Sequence, residues 1–432
     1  MTSRGARLPA NDLNPPVSPK GPLRIALLSY RGSPRCGGQG VYLRHLSREL
    51  TALGHRVTVF SGPPYPELDP GVRFEAVPSL DLYRPPGPFK TKAWKKIRTR
   101  TDVREFWEMM SGRFPEPMTF SRRTRDLLAG RRHEFDIVHD NQCLGAALTD
   151  LVAAGFPTVA TIHHPLTIDV DTALAHITDP RWAKSILRWY SFVETQKVVS
   201  RALPSILTVS ESSRRDIVEQ MGVPAASLTV VPVGTDPDRF CPRPAVVRVP
   251  GRILTTASAD TPLKGLVHLI EALAKVRTER PAELVVVGKS ATIGPVADAL
   301  DRFDLHDAVR FVHDISDDEL VQLYAEAELA VVPSLYEGFS LPAVEAMACG
   351  VPLVATTGGA IPEVTGPDGL AALLVPPADA GAMAASILCL LEDPELRAEM
   401  GGRGRARAES MFTWRLCAER TAAEYHRVLS AR

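Results

Sequence analysis

Short apolar runs alternate with amphipathic helical patterns along most of the chain. The first run covers residues 23–28, leucines at helical spacing follow over residues 41–53, and a second apolar run covers residues 55–60. Such an alternation predicts the buried strands of a parallel sheet, because a connection between parallel strands must cross over the sheet. Further strands are predicted at residues 135–139, 157–162, 205–210, 228–232, 253–257, 283–287, 309–312, 329–332, 353–355 and 372–375.

Chain length and one proline-rich stretch divide this alternation into two domains. The 432 residues suit two domains of roughly 200 residues each, and residues 237–250 hold four prolines that predict a linker. We therefore expect an α/β protein with two Rossmann-like, doubly wound parallel sheets that face each other across a cleft. The predicted parts are a disordered leader (1–20), a first domain (21–240), a linker (241–250), a second domain (251–412) and a terminal helix (413–432).

Composition excludes several classes of protein. Lysine and arginine number 50, as do aspartate and glutamate, so the formal net charge is zero and nucleic acid is not expected as the main partner. Six cysteines are scattered without a C-x-x-C pair, which argues against disulfides and structural zinc. Residues 1–20 are polar and proline-rich, and no apolar run approaches the roughly 20 residues of a membrane span. We expect a cytoplasmic enzyme.

Residues 331–345 carry the most informative chemistry. A predicted strand ends in a loop that contains Glu337, and Ser340 followed by Pro342 has the pattern of a helix start. The free N–H groups at such a start favour an anion, commonly phosphate. Glu345 is the only charged residue between positions 341 and 355. It therefore predicts a carboxylate that accepts hydrogen bonds from ligand hydroxyls, for example those of a ribose, rather than a solvated side chain.

Other candidate residues also follow predicted strands, and ligands of parallel sheets bind at that edge. Gly37 and Gly38 stand in a glycine-rich loop after the first strand, which is either a plain connection or a loop that lets the backbone approach a ligand. Lys264 follows the first strand of the second series and can neutralise a phosphate as a point charge. A phosphorylated ligand is the prediction.

Histidines and aspartates in the first domain suggest no metal site. His163 and His164 follow a predicted strand, and adjacent side chains on extended backbone point apart, so His163 is expected to hydrogen-bond to a substrate rather than to bind a metal. The strings Asp169-Val170-Asp171 and Asp236-Pro237-Asp238 match a metal-binding spacing that arises often by chance.

A basic insertion at residues 84–125 interrupts the alternation. Its lysines and arginines cluster around Trp94, Phe106 and Trp107. This composition predicts either contact with an anionic surface, such as the face of a membrane, or a solvated helix whose aromatic side chains pack inward.

Taken together, these motifs resemble glycosyltransferase family 4. The most specific is Glu337-x7-Glu345 within residues 333–356. The other matching segments, in family order, are Gly37-Gly38, 136–139, 161–163, 231–236, Lys264-Gly265 and 358–363. The resemblance covers residues 23–429 and implies the GT-B fold, with two Rossmann-like domains and a last helix that crosses back to the first domain.

The resemblance also implies a role for each matching residue. Glu345 would bind the ribose hydroxyls, Glu337 the donor sugar, and Lys264 the diphosphate. His163 would contact the transferred sugar near the acceptor, and Lys264, His163 and Glu337 are the candidate catalytic residues. The implied donor-binding residues are Gly37, Gly38, Ser258, Lys264, Glu337, Gly338, Phe339, Ser340, Leu341 and Glu345.

The implied reaction transfers a sugar with retention from a UDP- or GDP-type nucleotide sugar to a hydroxyl-bearing acceptor, with no metal or other cofactor. One position departs from the family pattern. An arginine usually precedes the lysine by five or six residues, and Ala259 and Ser258 stand there. Either a hydroxyl of Thr256, Ser258 or Thr261 substitutes by hydrogen bonding, or an arginine comes from elsewhere in the chain. A catalytically silent nucleotide-sugar-binding subunit and a nucleotide-sugar epimerase remain alternatives, and the sequence does not indicate an oligomeric state.

Overall fold

The computed structural model describes residues 21–33, 38–84, 86–175, 177–290 and 292–431. The predicted leader at residues 1–20 and Gly37 lie outside these ranges. No helix in the described ranges is both long enough and apolar enough to cross a membrane.

Seven parallel strands form the first sheet, in the order β3-β2-β1-β4-β5-β6-β7. The strands are β1 (Arg24–Ser29), β2 (Arg56–Ser61), β3 (Arg73–Ala76), β4 (Ile137–Asn141), β5 (Thr158–Ile162), β6 (Ile206–Thr208) and β7 (Leu228–Val230). The helices of this domain are α1 (Gly38–Ala52), α2 (Arg100–Met110), α3 (Glu116–Leu128), α4 (Ala147–Ala153), α5 (Thr167–Leu174), α6 (Pro180–Trp189), α7 (Phe192–Ala202) and α8 (Glu211–Asp216).

Six parallel strands form the second sheet, in the order β10-β9-β8-β11-β12-β13. They are β8 (Arg252–Thr256), β9 (Glu283–Val287), β10 (Val309–Val312), β11 (Leu329–Val332), β12 (Leu353–Thr356) and β13 (Ala372–Val375). The helices are α9 (Leu266–Glu279), α10 (Pro295–Phe303), α11 (Asp317–Glu326), α12 (Leu341–Ala348), α13 (Ile361–Thr365), α14 (Ala380–Glu392), α15 (Pro394–Met411) and α16 (Trp414–Ser430). The predicted fold class, two doubly wound parallel sheets, is confirmed.

Both sheets reverse their winding direction at one point. β1 lies between β2 and β4, and β8 lies between β9 and β11. The strands at these points have nearly every side chain buried, since helices cover both faces of the sheet. At such a reversal the loops after the two neighbouring strands lead to opposite faces and leave a crevice at their carboxyl ends. The fold therefore provides one ligand crevice in each domain.

The last helix, α16, packs against the first domain although it follows the second in the chain. The Trp414 ring stacks on His45 of α1 at a centroid distance of 5.0 Å. The Tyr425 hydroxyl lies 2.6 Å from Nδ1 of His139, and Nε2 of His139 lies 2.7 Å from the hydroxyl of Thr161. These buried polar contacts join α16 to β4 and β5, so the chain crosses between the two domains twice.

Strand β3 was not predicted from the sequence, whereas the basic insertion at residues 84–125 was predicted, with a single solvated helix as one alternative. Strand β3 holds a single large apolar residue, Phe74, which is 43% exposed at the edge of the sheet, so its pattern has no buried stripe. The basic insertion folds into α2 and α3, which are joined by contacts of the Arg123 guanidinium with the carboxylates of Asp102 and Glu105. Glu105 is fully buried, so the insertion is an integral part of the domain.

Candidate active site

Three loops at the two crevices carry the candidate residues that follow β1, β8 and β11. Gly38 begins α1 after the β1 loop, Lys264 follows β8, and Glu337 follows β11. His163 directly follows β5, two strands from β1. Because all strands are parallel, these loops emerge at the carboxyl edges of the sheets, as predicted.

Lys264 and Glu337 form an ion pair in the second domain. Nζ of Lys264 lies 2.7 Å from Oε1 of Glu337, and the hydroxyl of Ser334 donates to the same oxygen at 2.7 Å. The Glu337 side chain is 12% exposed and the lysine 31%. The pair comes together because β8 and β11 are neighbours. The family resemblance implied that Lys264 binds a phosphate and Glu337 a sugar. In the structure the two side chains contact each other.

Ser340 does not cap α12, which corrects one prediction. Its backbone lies in the left-handed region (φ 88°), and its side chain accepts no hydrogen bond from the first helical turn. A capping serine needs extended backbone to aim its oxygen at the helix N–H groups. Its hydroxyl is buried and has no hydrogen-bond partner among the described residues. Leu341, the first residue of α12, is partly buried against the core. The N–H groups of the first turn therefore lack the expected cap.

Glu345 lies one turn inside α12 among buried small residues. Burial is the largest cause that raises the pKa of its carboxyl to about 8, and the charge of Asp317 adds to this effect. Tyr324 and Lys264 act in the opposite direction. No lysine, arginine or histidine among the described residues forms an ion pair with it. Hydrogen bonds from the hydroxyls of a ligand would therefore stabilise the ionised carboxylate of Glu345.

His163 is held rigidly in the wall of the first domain. Its Nε2 lies 2.8 Å from Oδ1 of Asn141, and the amide N–H of Asn141 donates to the carbonyl of Gln39 at 3.2 Å. The amide orientation thus makes Nε2 the protonated nitrogen. Burial lowers the pKa of His163 to about 3, so the ring is neutral at physiological pH. Gly38 is exposed, and an added Cβ there would meet no atom within 4 Å.

Ser258 lies in the loop after β8, where its hydroxyl accepts a hydrogen bond from the backbone N–H of Lys289 at 3.3 Å. Thr261 donates to Asp260 at 3.3 Å. Phe339 is 7% exposed and contacts the ring of Phe412 edge-on at 5.5 Å. Its side chain therefore belongs to the core, and only its backbone is left to face a ligand.

The loop after β11 also contacts the first domain. The carbonyl of Gly338 accepts hydrogen bonds from the hydroxyls of Ser210 at 2.6 Å and Ser213 at 3.1 Å. An added Cβ at Gly338 would lie 2.6 Å from the carbonyl oxygen of His163, so only glycine fits. The loop with Glu337 and the first-domain wall with His163 are thereby held in contact.

A second contact between the domains was missed from the sequence. The Glu363 carboxylate accepts hydrogen bonds from the backbone N–H groups of Glu211 at 2.8 Å and Ser212 at 2.6 Å. These groups belong to the first turn of α8, where a carboxylate is favourable. The sequence did point to Glu363, because it stands in the glycine-rich segment 358–363. It did not reveal the contact, because Glu211 is 152 positions away.

Two family descriptions match consecutive parts of the chain: Glycosyltransferase Family 4 matches residues 36–239, and Glycosyl transferases group 1 matches residues 250–393. The MMP alpha-(1->4)-mannosyltransferase of Mycolicibacterium hassiacum is 50% identical over 94% of this chain and 99% of its own length. The chain belongs to glycosyltransferase family 4. In this glycosyltransferase the first matched region lies in the domain of the first sheet, and the second lies in the domain of the second sheet.

Solved structures agree on the fold of the glycosyltransferase. Sucrose-phosphate synthase from Thermosynechococcus elongatus has a TM-score of 0.71 at 23% identity and covers 95% of this chain and 100% of its own. HepE of Anabaena, solved in complex with UDP and glucose, has a TM-score of 0.68 at 18% identity over 94% and 99%. The architecture is the GT-B fold.

Proposed function

We propose that this glycosyltransferase moves a mannosyl group, with retention and without a metal ion, from a nucleoside-diphosphate mannose to the 4-hydroxyl of a sugar acceptor. The observation that supports this most is the 50% identity to an alpha-(1->4)-mannosyltransferase over nearly the whole length of both chains. Nucleoside-diphosphate mannoses carry the sugar in α linkage, so an α product means retention. The Lys264–Glu337 pair and Glu345 in one crevice support a nucleotide-sugar donor.

Leaving-group stabilisation is the main task of the second domain in this proposal. When the bond between sugar and diphosphate breaks, negative charge develops on the departing phosphate oxygen. Lys264 and the uncapped N–H groups of α12 are preorganised donors for that charge. Glu337, already partnered by Lys264 and Ser334, would accept hydrogen bonds from the sugar hydroxyls. The departing phosphate oxygen would take the acceptor proton, so neither glutamate has to act as an acid or base.

The direct test is an assay of nucleoside diphosphate release and product structure. Purified protein is incubated with GDP-mannose, UDP-glucose or UDP-galactose, with methyl α-D-mannopyranoside or α-(1→4)-mannobiose as acceptor, in the presence and absence of EDTA. The proposal expects mannosyl transfer that survives EDTA and gives an α-(1→4) linkage by NMR. A β-linked product, a metal requirement, or transfer only from another sugar would contradict the corresponding part of the proposal.

We also propose that the basic insertion contacts an anionic membrane surface. Seven lysines and arginines and no acidic residue lie between Asp81 and Asp102. Val103, Trp107 and Met110 form one face of α2 and are 43%, 67% and 48% exposed. An exposed apolar face beside excess positive charge matches the headgroup region of anionic lipids, to which each cation contributes about 1 kcal/mol.

Vesicle sedimentation checks this contact. The protein is expected to pellet with vesicles that contain phosphatidylglycerol at low salt, and to be released by 0.5 M NaCl because the attraction is screened. The Trp107→Ser variant should bind more weakly, whereas Val247→Ser, a change of an even more exposed apolar residue in the linker, should bind as the wild type does. Equal binding to purely zwitterionic vesicles, or none to either kind, would remove the proposal.

A further inference from the structure

His164 and Asp169 form a hydrogen-bonded pair at the mouth of the cleft. Nε2 of His164 lies 2.7 Å from Oδ2 of Asp169, and the two side chains are 32% and 27% exposed. His164 is the second residue after β5, and Asp169 stands in the first turn of α5. The pair is thus anchored at the binding edge of the first domain, and part of each side chain faces solvent.

The pair lies beside the loop after β11 in the second domain, which contains Glu337 and Gly338. A Cβ added to Gly338 would come within 3.1 Å of Cβ of His164, and Gly338 follows Glu337 directly. Burial and its bond to Asp216 raise the pKa of the Tyr336 phenol, and the nearby charge of Asp169 adds to this effect. His164 and Asp169 therefore stand where the acceptor-binding wall of the first domain meets the residues proposed to hold the donor sugar.

The backbone under His164 is held in place by one side chain. The side-chain Oε1 of Gln142 accepts a hydrogen bond from the backbone N–H of His163 at 2.7 Å. The side-chain Nε2 of Gln142 donates to the backbone carbonyl of His164 at 2.8 Å. Gln142 itself has a left-handed backbone (φ 52°), which costs free energy in a residue that is not glycine. Strain of this kind collects where a loop must present a side chain in one orientation.

Two hydrogen-bonding atoms of the pair have no partner within the described part of the chain. A carboxylate only accepts, so Nε2 of His164 carries the hydrogen, and in the neutral ring Nδ1 then offers a lone pair. Among the residues that the structure describes, none bonds to Nδ1 of His164 or to Oδ1 of Asp169. Oδ1 of Asp169 accepts hydrogen bonds, as does Nδ1 of His164 in the neutral ring, and separate hydroxyls of one sugar are donors that fit both atoms.

The surface next to the pair suits the apolar face of a sugar ring. Leu166 and Val170, on either side of Asp169, pack with Phe114, Tyr190 and Phe192. Trp189 stacks on Phe114 at a centroid distance of 5.2 Å and is 38% exposed. Aromatic rings beside hydrogen-bond acceptors provide both contacts that a sugar needs, one for its C–H face and one for its hydroxyls.

We infer that His164 and Asp169 form the acceptor subsite, in which Nδ1 of His164 and Oδ1 of Asp169 bind hydroxyls of the acceptor sugar and so orient its reactive hydroxyl toward the donor. This inference rests on the proposed function, because it needs a sugar acceptor. The pair positions the acceptor and takes no proton in the reaction. Its loss should therefore change acceptor binding and leave donor binding and donor hydrolysis intact.

The test separates transfer from hydrolysis. Rates are measured with GDP-mannose and methyl α-D-mannopyranoside or α-(1→4)-mannobiose, and the release of GDP without acceptor reports hydrolysis by water. His164→Ala is expected to raise the acceptor KM about tenfold or more, since a hydroxyl loses its partner. Its hydrolysis rate and donor Kd should stay within about twofold of the wild type.

Further variants separate hydrogen bonding from a purely structural role. His164→Asn places an acceptor oxygen near the position of Nδ1 and should recover part of the lost affinity. In Asp169→Asn the new amide can donate to Nε2 of His164, so the contact between the two side chains remains. The ring hydrogen then moves to Nδ1, which can no longer accept a hydrogen bond, and the acceptor KM should rise. His306→Ala is the matched control, because His306 pairs with Asp301 at the same 2.7 Å on the second domain, away from the cleft.

Each outcome supports or overturns one proposal. If the wild type transfers mannose and His164→Ala has an unchanged acceptor KM, the acceptor subsite is wrong while the proposed function stands. Equal losses of hydrolysis and transfer in His164→Ala would also overturn it, because they would mean that the residue only maintains the loop. If the wild type transfers mannose to neither sugar, the proposed function itself fails.

Discussion

Replacing Lys264 with alanine is expected to lower kcat by about a hundredfold or more, because a preorganised cation at the departing diphosphate stabilises charge that develops only in the transition state. Nζ of Lys264 is 2.7 Å from Glu337, so it is already directed toward the crevice. The measurement is the kcat of GDP-mannose consumption at saturating acceptor. Near-normal turnover in Lys264→Ala would contradict the role of this residue.

The ion pair calls for two additional variants. Removal of Lys264 leaves the Glu337 carboxylate, 12% exposed, with Ser334 as its hydrogen-bond donor, so the variant should also unfold at a lower temperature. Lys264→Ala/Glu337→Gln removes that unpaired charge and should recover stability but not turnover. Lys275→Ala, at an exposed position of helix α9, which begins two residues after Lys264, is the matched control and should change neither property.

Replacing Glu345 with glutamine is expected to weaken donor binding tenfold or more while kcat changes less. A carboxylate accepts hydrogen bonds from two ribose hydroxyls more strongly than a neutral amide does, and these bonds exist in both the bound donor and the transition state. Donor Kd from calorimetry and kcat from the transfer assay give the two quantities. Glu279→Gln, at the exposed end of α9, is the control. Unchanged donor affinity with lost turnover would reverse the assignment.

The raised pKa of Glu345 adds a pH dependence to this prediction. Its pKa is about 8 in the fold against an ordinary value of 4.5. The folded state therefore binds the proton more tightly than the unfolded state does, and the free energy of unfolding falls as pH rises from about 4.5 to 8. Donor affinity should rise over the upper part of that range as the carboxylate forms. Glu345→Gln should lose both trends in thermal unfolding and calorimetry between pH 5 and 9.

The sequence predicted the element order well where patterns are local. Strands with continuous apolar runs, such as β9, β10 and β11, were predicted with the bounds that the structure has. Strand β3 was missed because its only large apolar residue, Phe74, lies at an exposed edge. The cap at Ser340 was predicted wrongly, because the pattern of Ser340 and Pro342 does not reveal a backbone with φ 88°.

At the candidate active site, the sequence predicted the positions of the residues but not the contacts between them. The sequence placed Lys264, Glu337 and His163 at strand ends, and the structure has them at the carboxyl edges of the two sheets. It did not pair Lys264 with Glu337, which are 73 positions apart, nor Glu363 with the first turn of α8. His164 and Asp169 are five positions apart, yet the sequence indicated only a chance D-x-D match at Asp169, because the features expected to bind phosphate lie elsewhere.

By itself, the sequence determined two parallel α/β domains, the sheet edge at which the candidate site residues lie, and which of those residues are charged. These features follow from local periodicity and from the rule that parallel strands end at a common edge. Only the tertiary structure decided which charges meet, how Ser340 is oriented, and how Gly338 and Glu363 contact the first domain. Those outcomes depend on strand order and on backbone conformation, which couple residues too distant in sequence for any local pattern to record.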